Sequence, residues 1–174
     1  MSDNPKLSSL TYCQPNTQEE FDAYYDFRWQ LLRQPWNQEK GSEKDVLEHQ
    51  SYHRMLVDDK GTIYAIIRLH IVGQSTGIIR YMAVAEHAQG MGVGKHILLL
   101  LEDEISQLGV SEIELNAREN AVPFYKAANY KLGEFSHLLF EEIPHYKMTK
   151  VLTKSQNKEG EALTKIWHET IPLS

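Results

Sequence analysis

A chain of 174 residues can enclose a sizeable core within one domain, and 41% hydrophobic with 24% charged residues is the composition of an ordinary globular protein. A net charge of -6, with Lys and Arg spread out and not gathered in a block, excludes nucleic acid as the expected partner. A single cysteine, Cys13, excludes an intrachain disulfide, and no apolar run approaches the roughly 20 residues that a membrane span requires. The N-terminus lacks the charged-then-apolar order of a signal peptide, so the expectation is a cytoplasmic protein without membrane or nucleic-acid partners.

The elements follow in chain order. Thr17 with Glu20 three residues on is a capping-box pair, and Phe21, Tyr24, Tyr25, Phe27 and Leu31 recur at helical spacing, which predicts a helix ending before Pro35. The polar stretch from Pro35 to Ser51 reads as an exposed loop with a short second helix. Two apolar runs around Asp59-Lys60-Gly61 predict a hairpin, and Ile78–Val84 a third strand. Val93, Ile97, Leu101 and Ile105 lie on one face of a second long helix that Gly109 caps. Ile113 and Leu115 alternate with polar residues in a strand, Glu112–Ala117. Asn120 as cap and Pro123 in the first turn predict a short helix, with Asn129 as its left-handed terminator. Two strands bent at Ile143-Pro144 complete a mixed α/β domain over 1–152, and 153–174 is a C-terminal extension.

The stretch Val84–Glu102, "VAEHAQGMGVGKHILLLLE", crowds three glycines at the start of a helix, where glycine is otherwise unfavourable. The first N–H groups of a helix have no partner within it, and glycines let an anion approach them without meeting a Cβ. Gly90, Gly92 and Gly94, with Lys95 adding charge, therefore read as a phosphate site. A P-loop fails twice, because Gln89 replaces its first Gly and His96 its metal-binding hydroxyl. The dinucleotide fingerprint fails at Lys95, where its last Gly belongs.

A third pattern fits. Gln89, Gly92 and Gly94 after the strand "RYMAV", followed by "LNARENAVPFYKAANYKLGE" and "GEFSHLLFEEIPHYKM", resemble the GNAT N-acetyltransferases, with an ending similar to that of a bacterial subgroup carrying Ile-Pro-His. The resemblance covers Thr17 to about Lys150 and implies a mixed central sheet, splayed at the cofactor site and flanked by helices. It implies that Gln89, Gly90, Met91, Gly92, Val93, Gly94 and Lys95 hold the pyrophosphate of acetyl-CoA, and that Met82, Ala83 and Val84 line the acyl arm. The Met82 amide would then be the oxyanion donor, and Val84 would pair with pantetheine amides. Asn116 and Phe124 complete the coenzyme site, and Tyr125 is the general acid that protonates the departing thiolate.

The general base does not carry over. Family members place Glu or His on the strand leading to Met82, where this chain has Ile78 and Arg80, so His70 and His145 are the base candidates because imidazole titrates in the useful range. His49 and His53 would share a face only on a helix, and Gln50 replaces the Glu of a metalloprotease motif, so no metal is expected. Glu102, Asp103 and Glu104 read as a solvated helix face. Trp29 and Trp36 flank the first loop, which the resemblance implies shapes the acceptor pocket, and Arg28 and Arg33 nearby read as surface residues able to meet a carboxylate. With Cys13 far from the motifs, direct transfer to an amine is expected, its acceptor unspecified; a non-catalytic acyl-CoA sensor is the alternative, and a homodimer is an open assembly.

Overall fold

The computed structural model describes residues 6–153, so the proposed extension lies almost wholly outside the described residues. Thr17 accepts from the Glu20 N–H while the Glu20 carboxylate accepts from the Thr17 N–H, so the capping box forms and starts helix α1, Gln18–Leu32. A short strand, β1 (Thr11–Cys13), precedes it. At three residues β1 carries too little alternation to be legible in the sequence, and pairing with β2 makes it a strand.

The remaining strands are β2 (Ser51–Val57), β3 (Ile63–Val72), β4 (Thr76–Val84), β5 (Glu112–Arg118), β6 (Lys131–Leu139) and β7 (Ile143–Val151), with helices α2 (Val93–Gln107) and α3 (Val122–Ala127). They form one sheet in the order β1-β2-β3-β4-β5-β7-β6, in which only β4 and β5 run parallel. Alternation along β3 sorts the core. Ile66 packs with Tyr24 of α1, Met55 and Ala83 on one face; Ile67 and Leu69 pack with Ile97, Leu101 and Ile105 of α2 on the other. Those three α2 side chains are fully buried, each contributing about 2 kcal/mol by leaving water.

Several expectations are corrected. Glu102, Asp103 and Glu104 are not one solvated face: Glu102 accepts from the Tyr130 hydroxyl at 2.8 Å and pairs with Lys150 at 2.6 Å, while Glu104 pairs with Arg54 and accepts from the Tyr12 hydroxyl at 2.6 Å. The helix lies across the sheet, so strand side chains reach its flanks as well as its apolar stripe. The 35–51 stretch is not simply exposed, since Glu43 is buried and Asp45 and Glu48 turn inward to buried arginines. Arg28 is accordingly no surface residue but fully buried. Asn120 does not cap α3; it sits inside a 3-10 turn, Glu119–Ala121, and Ala121 takes the cap position without a side-chain bond. The final chain reversal falls at Phe140–Glu142, with φ of 52° and 60° at Phe140 and Glu141, and Ile143-Pro144 begins β7. Asn129 has φ of 68°, the left-handed terminator read from the sequence.

Candidate active site

The sheet opens where two neighbouring strands stop pairing. β4 and β5 are bonded from Thr76/Glu112 to Ile79/Leu115, yet β4 continues to Val84 and β5 to Arg118. β5 keeps its pairing with β7 as far as Arg118/His145, and β4 keeps its pairing with β3 to Val84/Ala65. The unpaired edges therefore face each other across a gap. Because Ala85 donates to Tyr64 of β3 at 2.8 Å, alternation turns the backbone groups of Val84 into that gap. The Gln89 side-chain amide donates to the Val84 carbonyl at 3.2 Å, which ties the phosphate loop to the gap's edge.

A β-bulge shapes the same strand. Tyr81 and Met82 of β4 stand opposite the single residue Ile67 of β3, and Tyr81 has φ of 59°. Nothing in the sequence marks a bulge there, because Tyr is not a residue that favours a left-handed backbone. The Tyr81 ring is held by arginines: Arg28, Arg33, Arg68 and Arg80 have their guanidinium carbons 4.5–5.3 Å from its centroid. Arg28 and Arg68, both fully buried, pair with Glu48, and Arg68 and Arg80 pair with Asp45, whose carboxylate also accepts from the Tyr81 hydroxyl at 3.3 Å. Burial opposes ionisation of Asp45, but the Arg68 bonds and the Leu47 N–H outweigh it and hold its pKa down at about 2.

The glycines divide by cause. Gly90 and Gly92 have φ of 77° and 82°, where a side chain is strained, and the ideal Cβ of Gly90 would meet nothing. Gly94 lies within α2, and a Cβ there would stand 3.2 Å from Val84 Cγ2 and 3.4 Å from the Phe124 ring, so its missing side chain is set by packing against the gap's edge. Phe124 is thus brought beneath the loop. The first α2 bond runs from the His96 N–H to Gly92, leaving the N–H groups of Val93, Gly94 and Lys95 without helical partners, and no side chain caps them.

Met82, Asn116, Tyr125, His70 and His145 line one cavity of about 530 Å³ in the gap, whereas the glycine loop lies beyond its wall. The Tyr125 hydroxyl donates to Met82 Sδ at 3.4 Å, a weak acceptor that another sulfur can replace. Burial raises the Tyr125 pKa above its ordinary value, so the phenol is a neutral donor. The two histidines differ. His145 Nδ1 bonds the Ile143 carbonyl at 2.9 Å, so this nitrogen carries the proton and Nε2 keeps its lone pair; His70 Nδ1 is buried without a partner. Burial lowers the His145 pKa first, with His137, Arg118 and Arg33 adding to it against the raising effect of the Ile143 bond. Burial likewise lowers that of His70, with Arg68 and Arg80.

Other candidates do not converge here. His49 lies in a 3-10 turn and His53 in β2, where its ring sits among Phe21, Tyr24 and Tyr25 and its Nε2 bonds the Glu48 carbonyl at 2.7 Å. Trp29 donates to the Gln38 carbonyl at 3.1 Å and steadies the loop after α1. Arg33 lines the cavity with Arg80, Arg118 and His137; Arg118 and His137 lie within the motif blocks, but nothing in the sequence gives either a role.

The sequence model of the acetyltransferase (GNAT) family matches residues 18–130. The uncharacterized N-acetyltransferase YjcF of Bacillus subtilis (strain 168) is 30% identical over 135 residues, covering 78% of this chain and 94% of the relative. Among solved structures, an acyl-CoA N-acyltransferase from Pseudomonas aeruginosa superposes with a TM-score of 0.69 at 20% identity, covering 81% of this chain and 97% of that one. A GNAT family acetyltransferase from Elizabethkingia anophelis with acetyl-CoA bound superposes with a TM-score of 0.67 at 12% identity, covering 83% and 99%.

Proposed function

The chain belongs to the GNAT acetyltransferase family, and from that premise we propose that it transfers the acetyl group of acetyl-CoA directly to the nitrogen of an amine. The observation that carries this reading is the gap between β4 and β5, with uncapped helix amides at one end and a buried tyrosine hydroxyl inside it. Gly90–Lys95 offer N–H groups and the positive end of the α2 dipole to a pyrophosphate. Val84 presents backbone groups to the pantetheine amides. Met82 supplies an N–H to the acetyl oxygen as negative charge develops there, a contribution of about 3 kcal/mol for a well-placed donor.

His145 takes the proton from the amine, because its ring lines the cavity with the proton held on Nδ1, and burial together with its basic neighbours favours the neutral form. Tyr125 then protonates the coenzyme sulfur as the C–S bond breaks, moving its hydroxyl from the Met82 sulfur to the thiolate. Transfer is direct because Cys13 lies in β1, three strands away from β4.

Thermal unfolding with acetyl-CoA, coenzyme A, NAD and ATP, each added alone, tests the loop assignment. A ligand at a hundred times its Kd stabilises by about 2.7 kcal/mol, which raises the midpoint by several degrees for a domain of this size. A shift confined to the two coenzyme A species supports the reading, and a larger one with NAD or ATP overturns it.

A further inference from the structure

The chain has six arginines, and four of them, Arg28, Arg54, Arg68 and Arg80, are ion-paired. The other two, Arg33 and Arg118, form no ion pair among the described residues, and both line the cavity. Their placement is tertiary. Ile113 and Leu115 of β5 pack with α2, so alternation turns Asn116 and Arg118 to the opposite face, where Arg33 follows the end of α1. Arg33 Nη1 and Arg118 Nη2 donate to one oxygen, the Leu32 carbonyl, at 3.0 and 3.4 Å. Arg33 Nε donates to the Ser42 carbonyl at 3.0 Å. Arg33 is only 8% exposed, and among the described residues no Asp or Glu lines the cavity.

Two desolvated guanidinium groups sharing one neutral acceptor are costly unless an anion completes them. Burial, then the charge of Arg33, works against the charged form of Arg118. The opening measures about 530 Å³, within the range of roughly 300–1,000 Å³ typical of small-molecule sites and too small for a folded partner.

We propose that Arg33 and Arg118 clamp the carboxylate of the acceptor, so that the substrate is a small amine that also carries a carboxylate. This rests on the reading of the cavity as the acceptor end of an acetyl-transfer site. The clamp orients the amine toward the Met82–Tyr125 end, and the same charge repels polyamines and aminoglycosides, whose additional ammonium groups would meet two cations. Arg33 and Arg118 touch the substrate's far end and take no part in bond making.

The test uses the whole chain saturated with coenzyme A, so that binding is measured without turnover. Amines with one to five carbons between nitrogen and carboxylate are titrated calorimetrically, each beside its carboxamide and its decarboxylated analogue. The expected result is at least one carboxylate bound tenfold or more tightly than its carboxamide, with that preference lost in Arg118→Gln and in Arg33→Gln. Arg118→Gln is the cleaner variant, because the Arg118 side chain makes a single hydrogen bond among the described residues and its removal leaves the Arg33–Ser42 contact in place. No carboxylate preference anywhere in the panel, or a preference that survives both substitutions, overturns the clamp. A loss of coenzyme A affinity in Arg118→Gln also overturns it, since the anion would then be the coenzyme's own phosphate. Acetyl transfer to the preferred amine is scored separately: selective binding without any turnover upholds the clamp and refutes the transferase reading.

Discussion

At the scale of single residues, chemistry follows from what each side chain is denied. Tyr125 is denied water, so its phenol stays protonated, and its only hydrogen-bond partner among the described residues is a thioether. Tyr125→Phe should lower kcat about a hundredfold while leaving the Kd for acetyl-CoA unchanged, as separate kinetic and calorimetric measurements would show. His145 is denied its proton by burial and by the cations around it. Its pKa lies below the ordinary imidazole value of about 6.5, and in the proposed mechanism the neutral form is the base. kcat/KM should therefore rise with pH to a midpoint below that value and be flat at pH 7, and His145→Gln should remove the limb.

The glycine loop shows at this scale how one motif can rest on mixed causes. Gly90 and Gly92 need backbone that other residues resist, whereas Gly94 needs room against Val84 and Phe124. Letter spacing shows all three alike, because a motif records which residue is tolerated and not which neighbour excludes the others.

At the scale of elements, the loop between α1 and β2 is held down by charge. Arg28 and Arg68 are fully buried, and Glu48 is the carboxylate that both share. Glu48→Ala should destabilise the fold by about 3–5 kcal/mol, measured by denaturant titration, because it strands buried positive charge. Its neighbour Asp45 sets an acid limit. Its folded pKa of about 2 is depressed against roughly 3.9 in an unfolded chain, so its stabilisation is complete above the unfolded value and is lost as pH falls through the folded one. Unfolding midpoints should fall between about pH 4 and pH 2, and Asp45→Asn should flatten that decline. The same ion network grips the Tyr81 ring and so holds the bulge from which Met82 faces the cavity.

At the scale of the whole molecule, the site exists because one sheet is divided between two commitments. β4 stays with β3 and β5 stays with β7, so the edges between them part beyond Ile79 and Leu115. A bound pantetheine arm would act as a strand between them. Acetyl-CoA should thus slow amide hydrogen exchange at Val84 and its β4 neighbours at least tenfold, with no comparable change in β1 or β2, as mass-resolved exchange would report.

How much of this was legible depended on range. Capping at Thr17, the four-residue apolar period of α2, the alternation of β5 and the glycine loop are local properties, and backbone hydrogen bonding enforces them wherever the chain is placed. They determined the order of the elements from α1 onward, and with the motif blocks they determined the family. The pairing of charges was not legible, because it depends on what covers each charge. Glu104 reads as a solvated residue until Arg54 arrives from β2, and Arg28 reads as a surface residue until Glu48 folds under it. Arg33 and Arg118 stand 85 positions apart, and only the crossing of the α1 end over the sheet brings them to one carbonyl. Sequence alone determined the two long helices and the six longer strands, since those signals act over a few residues, whereas β1 became a strand only by pairing with β2. Tertiary structure alone decided where the sheet opens and which charges face that opening unpaired, because desolvation and strand competition exist only once distant segments meet.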